Sequence, residues 1–324
     1  MTAALLLVAA LAYAVACGAN DGGMLVGLAT RTGTIPPLLA TVTMVVAVIA
    51  GPFVIGTTVA DTLAHGLVSA AAPRRSGTVL VLAVLVSVLV VLVLSRWGLP
   101  TSLTLALVGG IVGAGLGAGL AVGWSRLVYV LVVALLAPLV AGGLAWVVAL
   151  GFQHVPSGWL AGRGGAYGEV VVLLGQAVAY SATGAQAMVA ILGVLADPRS
   201  TGVPVSLPGQ LAVGAAFGVG LLVAVPRTAR VVSERFVHVR RPSALISQST
   251  STVACLVSAG LGAPVSLTQA TTGALLGGEL RLAPHRVRWT EAVRIGRAWV
   301  LTLPTALAAS WVLGLAWTAI VGRV

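Results

Sequence analysis

Apolar runs of membrane-crossing length follow one another along nearly the whole chain: 1–30, 36–57, 78–95, 98–120, 125–150, 168–196, 208–226, 243–259, 260–280 and 297–321. A crossing helix needs about 20 predominantly apolar residues. None of the hydrophilic stretches between the runs is long enough for a soluble domain. Only 8% of the residues are charged, against about 25% in a soluble protein. A soluble enzyme, a nucleic-acid binder and a disordered chain are therefore excluded together. The net charge of +11 comes from 18 arginines against 7 acids. Those arginines cluster between the apolar runs, as in the basic loops of a multi-pass membrane protein. The chain is expected to be all-α and embedded in the lipid bilayer.

Polar breaks carry Arg31, Arg74–Arg75, Arg163 and Arg199, and two longer ones, 227–241 and 281–297, hold five arginines and one glutamate each. Counted along the runs, those two equally basic stretches fall on opposite faces, so charge alone does not set the orientation. Cys17 and Cys255 lie inside apolar segments without a Cys-x-x-Cys or Cys/His cluster, so buried thiols are expected rather than a disulfide or a metal site. The N-terminus lacks a basic region before its apolar run and reads as a retained first span.

The chain also repeats itself. Gly98-Leu-Pro-Thr-Ser-Leu-Thr-Leu-Ala returns as Gly262-Ala-Pro-Val-Ser-Leu-Thr-Gln-Ala, offset by 164 residues, and Gly109 and Gly113 return as Gly273 and Gly277. Trp124-Ser125 and Pro138 are echoed by Trp289-Thr290 and Pro304. This predicts an N-terminal repeat over 1–150, a short linker over 151–167 and a C-terminal repeat over 168–324, the symmetry on which many secondary transporters are built. The first half counts as four spans, 1–30, 36–57, 78–95 and 125–150, plus a re-entrant hairpin at 98–120. That number of crossings is even, whereas an inverted repeat needs an odd one.

Two sites carry chemistry. Gly18-Ala19-Asn20-Asp21-Gly22-Gly23 interrupts an otherwise apolar stretch. Each glycine weakens a helix by about 1 kcal/mol, and a carboxylate at mid-membrane costs roughly 2.5–3.5 kcal/mol on insertion scales. A discontinuous helix lining a polar cavity accounts for both. The second site is the duplicated Pro-x-Ser-Leu-Thr at Pro100–Thr104 and Pro264–Thr268. Proline after a glycine turn, followed by glycine-rich helix, predicts a re-entrant hairpin in each half. Ser102, Thr104, Ser266 and Thr268 at the tips are candidate hydrogen-bond donors to an oxyanion, helped by half-helix N-termini.

These residues resemble the inorganic phosphate transporter family of secondary permeases. Its signatures are a Gly-x-Asn-Asp motif in the broken first helix of each half and a Gly-Leu-Pro-Val-Ser-Thr-Thr-His hairpin tip. Gly18-Ala19-Asn20-Asp21, Ala29-Thr30-Arg31, Gly56-Thr57-Thr58-Val59-Ala60, Trp97–Ser102 and Gly262–Ser266 match in order, with the basic linker Arg227–Arg241 and the closing Trp299–Pro304. The resemblance implies two homologous inverted repeats, each with a broken first helix and a re-entrant hairpin. It also implies phosphate as substrate, symport across the plasma membrane, no cofactor beyond a coupling cation (H+ or Na+), and room for a homodimer. Where the second Asn-Asp belongs, the sequence reads Ser181-Ala182-Thr183-Gly184-Ala185-Gln186, without an acid. Leu103 and Leu267 replace tip threonines, Leu105 and Gln269 replace the histidine, and Gln248 and Ser249 stand where the family has an acid before the last hairpin.

By this resemblance Asp21 and Gln186 join the hydroxyls around substrate, while Asn20, Asp21 and Thr183 hold the coupling ion. A lone carboxylate in a site of low dielectric suits a proton, so a proton is expected to drive uptake rather than sodium. The alternatives are a sulfate or other oxyanion permease, and a degenerate sensor or scaffold that does not transport. No nucleophile–base pair, P-loop or metal-ligand set lies in the spans, so an enzyme is not expected. Asp61 and His65 are placed at the membrane edge, Glu169 and Glu291 at helix N-termini, Glu279 at the membrane interface and Arg96 beside the first hairpin, snorkelling.

Overall fold

The computed structural model describes residues 2–68, 73–96, 101–196, 202–231 and 240–321. Residues 97–100 of the first tip (with Pro100), Arg199 and 232–239 of the basic linker lie outside them. The helices are α1 Thr2–Cys17, α2 Gly23–Ala29, α3 Pro37–Val54, α4 Thr58–Asp61, α5 Pro73–Arg96, α6 Leu103–Gly117 and α7 Trp124–Phe152. They continue with α8 Ser157–Ala161, α9 Arg163–Ala182, α10 Gln186–Ala196, α11 Leu207–Val231, α12 Arg241–Gly260, α13 Leu267–Leu282 and α14 Trp289–Val321. Seven helical stretches among the described residues are long and apolar enough to cross a membrane. Their outer faces expose large apolar side chains such as Leu85, Leu139, Trp146 and Leu301, as lipid contact requires.

The expected break at Gly18–Gly23 takes a subtler form in the first half. The backbone stays right-handed helical, but Gly18–Gly22 forms a π-helical turn in which the Gly23 N–H donates to the Gly18 carbonyl, one residue further back than in an α-helix. The second half is fully interrupted: α9 ends at Ala182, Thr183 leaves helical dihedrals at φ −124° and ψ −80°, and α10 restarts at Gln186.

The stretches 78–95 and 98–120, expected as a span and a separate hairpin, are the two arms of one hairpin. Gly110 of α6 lies against Ala83 and Ser87 of α5, and Val79 clusters with Ala114 and Ala118, so the arms are antiparallel. α5 also runs beside α1 in the same direction, with Gly77 near Leu6 and Thr101 near Asn20. The hairpin therefore enters and leaves by one face with its tip at the level of Asn20. In the second half 243–259 and 260–280 form the matching hairpin, tied by Ser243 to Glu279 and by Thr271 to Ser251. Each half then crosses three times (α1–α2, α3 and α7; α9–α10, α11 and α14), an odd number, so the repeats are inverted. The parity conflict came from counting α5 as a span, because a hairpin arm in lipid has the composition of a crossing helix.

The halves exchange their hairpins. α6 packs along α14 and α13 along α7. The repeated glycines make this possible: a Cβ on Gly113 would sit 2.1 Å from the Leu307 carbonyl oxygen, and one on Gly277 2.0 Å from that of Gly142. Backbones approach without side chains between them, which is how helices associate in lipid.

The inverted count also settles the two basic stretches. α12 begins where α13 ends, so Arg240, His285, Arg286 and Arg288 line one cavity on one face. The turn after α2 is on that face too, since Arg241 reaches Thr34.

Candidate functional site

Two half-helices from opposite faces end at one buried acid. Asp21 is 4% exposed. Asn20 Nδ2 donates to Asp21 Oδ1 at 2.8 Å and to the Thr101 carbonyl at 3.4 Å, tying the acid to the first tip. Thr268 of the second tip lies beside the same carboxylate. Tyr13, one helical region below, donates to the Leu103 carbonyl at 3.4 Å and fixes the first tip from its other side. The structure thus brings Asn20, Asp21, Thr101 and Thr268 together, with Ser266 bonded to Thr268, while Ser102 and Thr104 are buried at the start of α6.

The serines have a local task that explains their duplication. Ser102 is the N-cap of α6, its Oγ accepting from Leu105 N at 3.2 Å, and Ser266 is the N-cap of α13, accepting from Gln269 N at 3.4 Å. A cap serine holds one of the orphan N–H groups of the first turn; the others remain for a ligand. The tips then diverge. Ser266 Oγ also hydrogen-bonds to Thr268 Oγ1 at 2.7 Å, extending the cap to the Asp21 carboxylate. The α13 turn depends on Gly262, whose φ of +70° favours glycine.

Thr183 and Gln186 stand at the interruption between α9 and α10. Thr183 Oγ1 donates to its own helix at Ala179 O, 2.8 Å away. Gln186 accepts from Ala60 N at 3.4 Å and donates to Gly56 O at 3.2 Å and Ser181 O at 3.0 Å. In this conformation Gln186 is a strut between the interruption and the α3–α4 turn. It lines a cavity of about 170 Å³ with Ile55, Thr58, Ala182, Leu256 and Gly260, on the side of the second tip away from the basic face.

Two tip residues escaped the reading of the sequence. Thr101 Oγ1 and Gln269 Oε1 are buried without a hydrogen-bond partner, a state that invites a ligand. Thr101 faces Val265 in the repeat and Gln269 faces Leu105, so the asymmetry within the duplicated motif was the signal.

Of the remaining acids, only Glu169 departs from its expected place at a helix N-terminus. Glu169 lies in the second turn of α9, 3% exposed, and accepts from Arg241 Nε at 2.8 Å; Arg241 also donates to Leu160 O at 2.7 Å and Thr34 Oγ1 at 2.5 Å. Glu279, near the end of α13 on the basic face, is 2% exposed and accepts from the Ser243 hydroxyl. Asp61 accepts from Val203 N at 2.8 Å and is not paired with His65. Glu291 does open its helix, 3.8 Å from Arg294. The side chain of Arg96 lies outside the described residues.

Comparison with known proteins agrees with this arrangement. The model of the phosphate transporter family matches twice, over residues 17–163 and 166–310. Proteins called probable low-affinity inorganic phosphate transporters in Mycobacterium bovis and Mycobacterium tuberculosis are 31% identical over 316 residues, covering 93% of this chain and 74% of theirs. That of Mycobacterium leprae is 29% identical over 320 residues, covering 93% and 75%. A solved structure titled the sodium-dependent phosphate transporter superposes with a TM-score of 0.82 over 98% of this chain and 99% of that one, at 16% identity, a likeness of fold. With both matches spanning the two repeats and the tips meeting at Asp21, this chain belongs to the phosphate transporter family.

Proposed function

We propose that the protein is a secondary permease that carries inorganic phosphate across the cell membrane, driven by a proton gradient. The observation that carries this reading is the meeting of two capped half-helix N-termini, α6 and α13, at Asp21. First-turn N–H groups and the dipoles behind them favour an oxyanion. Thr101 and Thr268 add hydroxyls, and Asp21 can accept the hydrogen that phosphate still carries at neutral pH. Sulfate carries none, which favours phosphate over sulfate.

The basic face would be cytoplasmic by the positive-inside rule. The Glu169–Arg241–Thr34 network ties the second hairpin to α9 and to the turn after α2 on that side, while the cavity at Gln186 lies on the other. Phosphate would enter from outside, and release would require the network to part. The absence of an acid at Ser181–Gln186, and the engagement of Thr183 and Gln186 with backbone, leave few oxygens for sodium and support a proton.

The test is uptake by purified protein in proteoliposomes, after uptake in a host lacking phosphate transport. Phosphate should accumulate under an inward proton gradient without sodium. Accumulation only under a sodium gradient at constant pH would overturn the proton assignment, and preferential movement of sulfate would overturn the substrate. No flux of either anion would leave the sensor or scaffold reading.

A further inference from the structure

We infer that Glu279, held by Ser243 near the basic face, is a second station for the coupling cation, in series with Asp21. This rests on the transport reading above. A buried charge needs a partner, and removing one from water without compensation is costly. Among the described residues Glu279 has the Ser243 hydroxyl but no arginine within 4.0 Å. The arginine at the start of the same helix, Arg241, is held by Glu169, Leu160 and Thr34. The other charged groups of the surrounding elements are Arg240 at the N-cap of α12, Arg281 on α13, and His285, Arg286 and Arg288 in the turn that follows; Arg281 donates to Gln153 at 3.3 Å. A monovalent cation, H+ or Na+, is the partner such a carboxylate takes.

Position makes it a station rather than an isolated acid. Thr268, Thr272, Leu275 and Glu279 follow at spacings of four, three and four along α13, so they share one stripe. From Thr268 to Glu279 the helix rises about 16 Å, roughly half a hydrocarbon core. The stripe is polar at its inner end, where Thr271 Oγ1 bonds Ser251 Oγ at 3.0 Å and Gln176 Nε2 reaches Ser251 at 3.0 Å and Thr252 at 2.9 Å. Leu275 interrupts it. With Leu28 of α2 and Ala244 of α12 it forms a small buried apolar cluster apart from the main core. Asp21 is thus on one side of an apolar plug and Glu279 on the other. All three plug residues stand on elements that also carry one of the two sites: α2 continues from Asp21, and α12 and α13 hold Ser243 and Glu279. The first hairpin has nothing comparable, because the repeat partner of Glu279 is Gly115 and no polar side chain follows Thr104 in α6.

The experiment compares two modes of the full chain in proteoliposomes: exchange of labelled phosphate at equilibrium, and net accumulation under an imposed proton or sodium gradient. Glu279→Gln should lower the ratio of accumulated to exchanged phosphate by roughly tenfold under whichever gradient drives the wild type, and Glu279→Asp should restore most of it. Wild-type accumulation by Glu279→Gln would overturn the inference. So would equal loss of both modes at normal reconstitution, which would place Glu279 in the phosphate site or the scaffold. If Glu279→Gln is not recovered folded, Ser243→Ala carries the same split and the same two overturning results. Absence of phosphate exchange by the wild type would instead sink the transport reading, and this inference with it.

Discussion

The two hairpins have the same skeleton and different chemistry. α5–α6 and α12–α13 each enter by one face, turn at a capped serine and lay a glycine stripe against the last helix of the opposite half. Between their tips and their outer ends they diverge. α6 is apolar from Leu105 to Gly117, and the α5 hydroxyl Ser87 bonds its own helix at Ala83 O. In the second hairpin Ser243, Ser247, Gln248, Thr250 and Ser251 of α12, with Thr271, Thr272 and Glu279 of α13, are all buried. Both hairpins present a serine-capped helix N-terminus, and only the second lines its length with buried polar side chains. The lesson is that the geometry is shared by the two hairpins whereas buried polar side chains are concentrated in the second.

The acid at which both tips meet gives the largest expected effect. Asp21→Asn keeps size and the Asn20 contact but removes the carboxylate, and should reduce phosphate uptake by roughly two orders of magnitude at unchanged membrane insertion. Near-normal uptake by a well-expressed variant would place the centre of the site elsewhere and detach both hairpins from it.

The shared skeleton predicts symmetric costs. Gly113→Val and Gly277→Val each force a side chain into a backbone carbonyl of the opposite half. Each should destabilise by about 1–3 kcal/mol or more through overpacking, read as a lower melting temperature in detergent. If one variant were tolerated and the other not, the hairpins would differ in packing as well as chemistry.

How far the sequence could be read follows the same division. The tips and the Asn20–Asp21 pair were legible because each is a local pattern, and duplication made the tips stand out from chance. The pairing of 78–95 with 98–120 was not, since a hairpin arm facing lipid and a spanning helix obey the same solvent. Nor was the π turn at Gly18–Gly22: glycines mark a weak helix without saying whether it breaks or merely shifts its hydrogen bonds. The burial of Glu169 and Glu279 was not legible because their partners, Arg241 and Ser243, lie 72 and 36 residues away. The burial of an acid depends on such a partner, not on its neighbours in the chain.

The smallest effect distinguishes the two tip serines, which the repeat makes equivalent and the structure does not. Both cap a half-helix, so Ser102→Ala and Ser266→Ala should each cost about 1 kcal/mol of stability, as lost N-caps do. Among the described residues Ser102 Oγ bonds the Leu105 amide alone, and the first tip reaches Asp21 through Asn20 and a backbone carbonyl that the substitution leaves in place. Ser266 also holds the Thr268 hydroxyl, which in turn meets the Asp21 carboxylate. Its loss frees Thr268 to rotate and leaves a buried hydroxyl short of a partner, a penalty of about 1–3 kcal/mol. Phosphate affinity should therefore fall by roughly tenfold in Ser266→Ala and by less in Ser102→Ala, measured by binding to the purified protein alongside thermal stability. Equal losses of affinity would mean that the caps act only through the helix N-termini, and that the chemical asymmetry of the hairpins begins above the tips, at Thr271, Thr272 and Glu279.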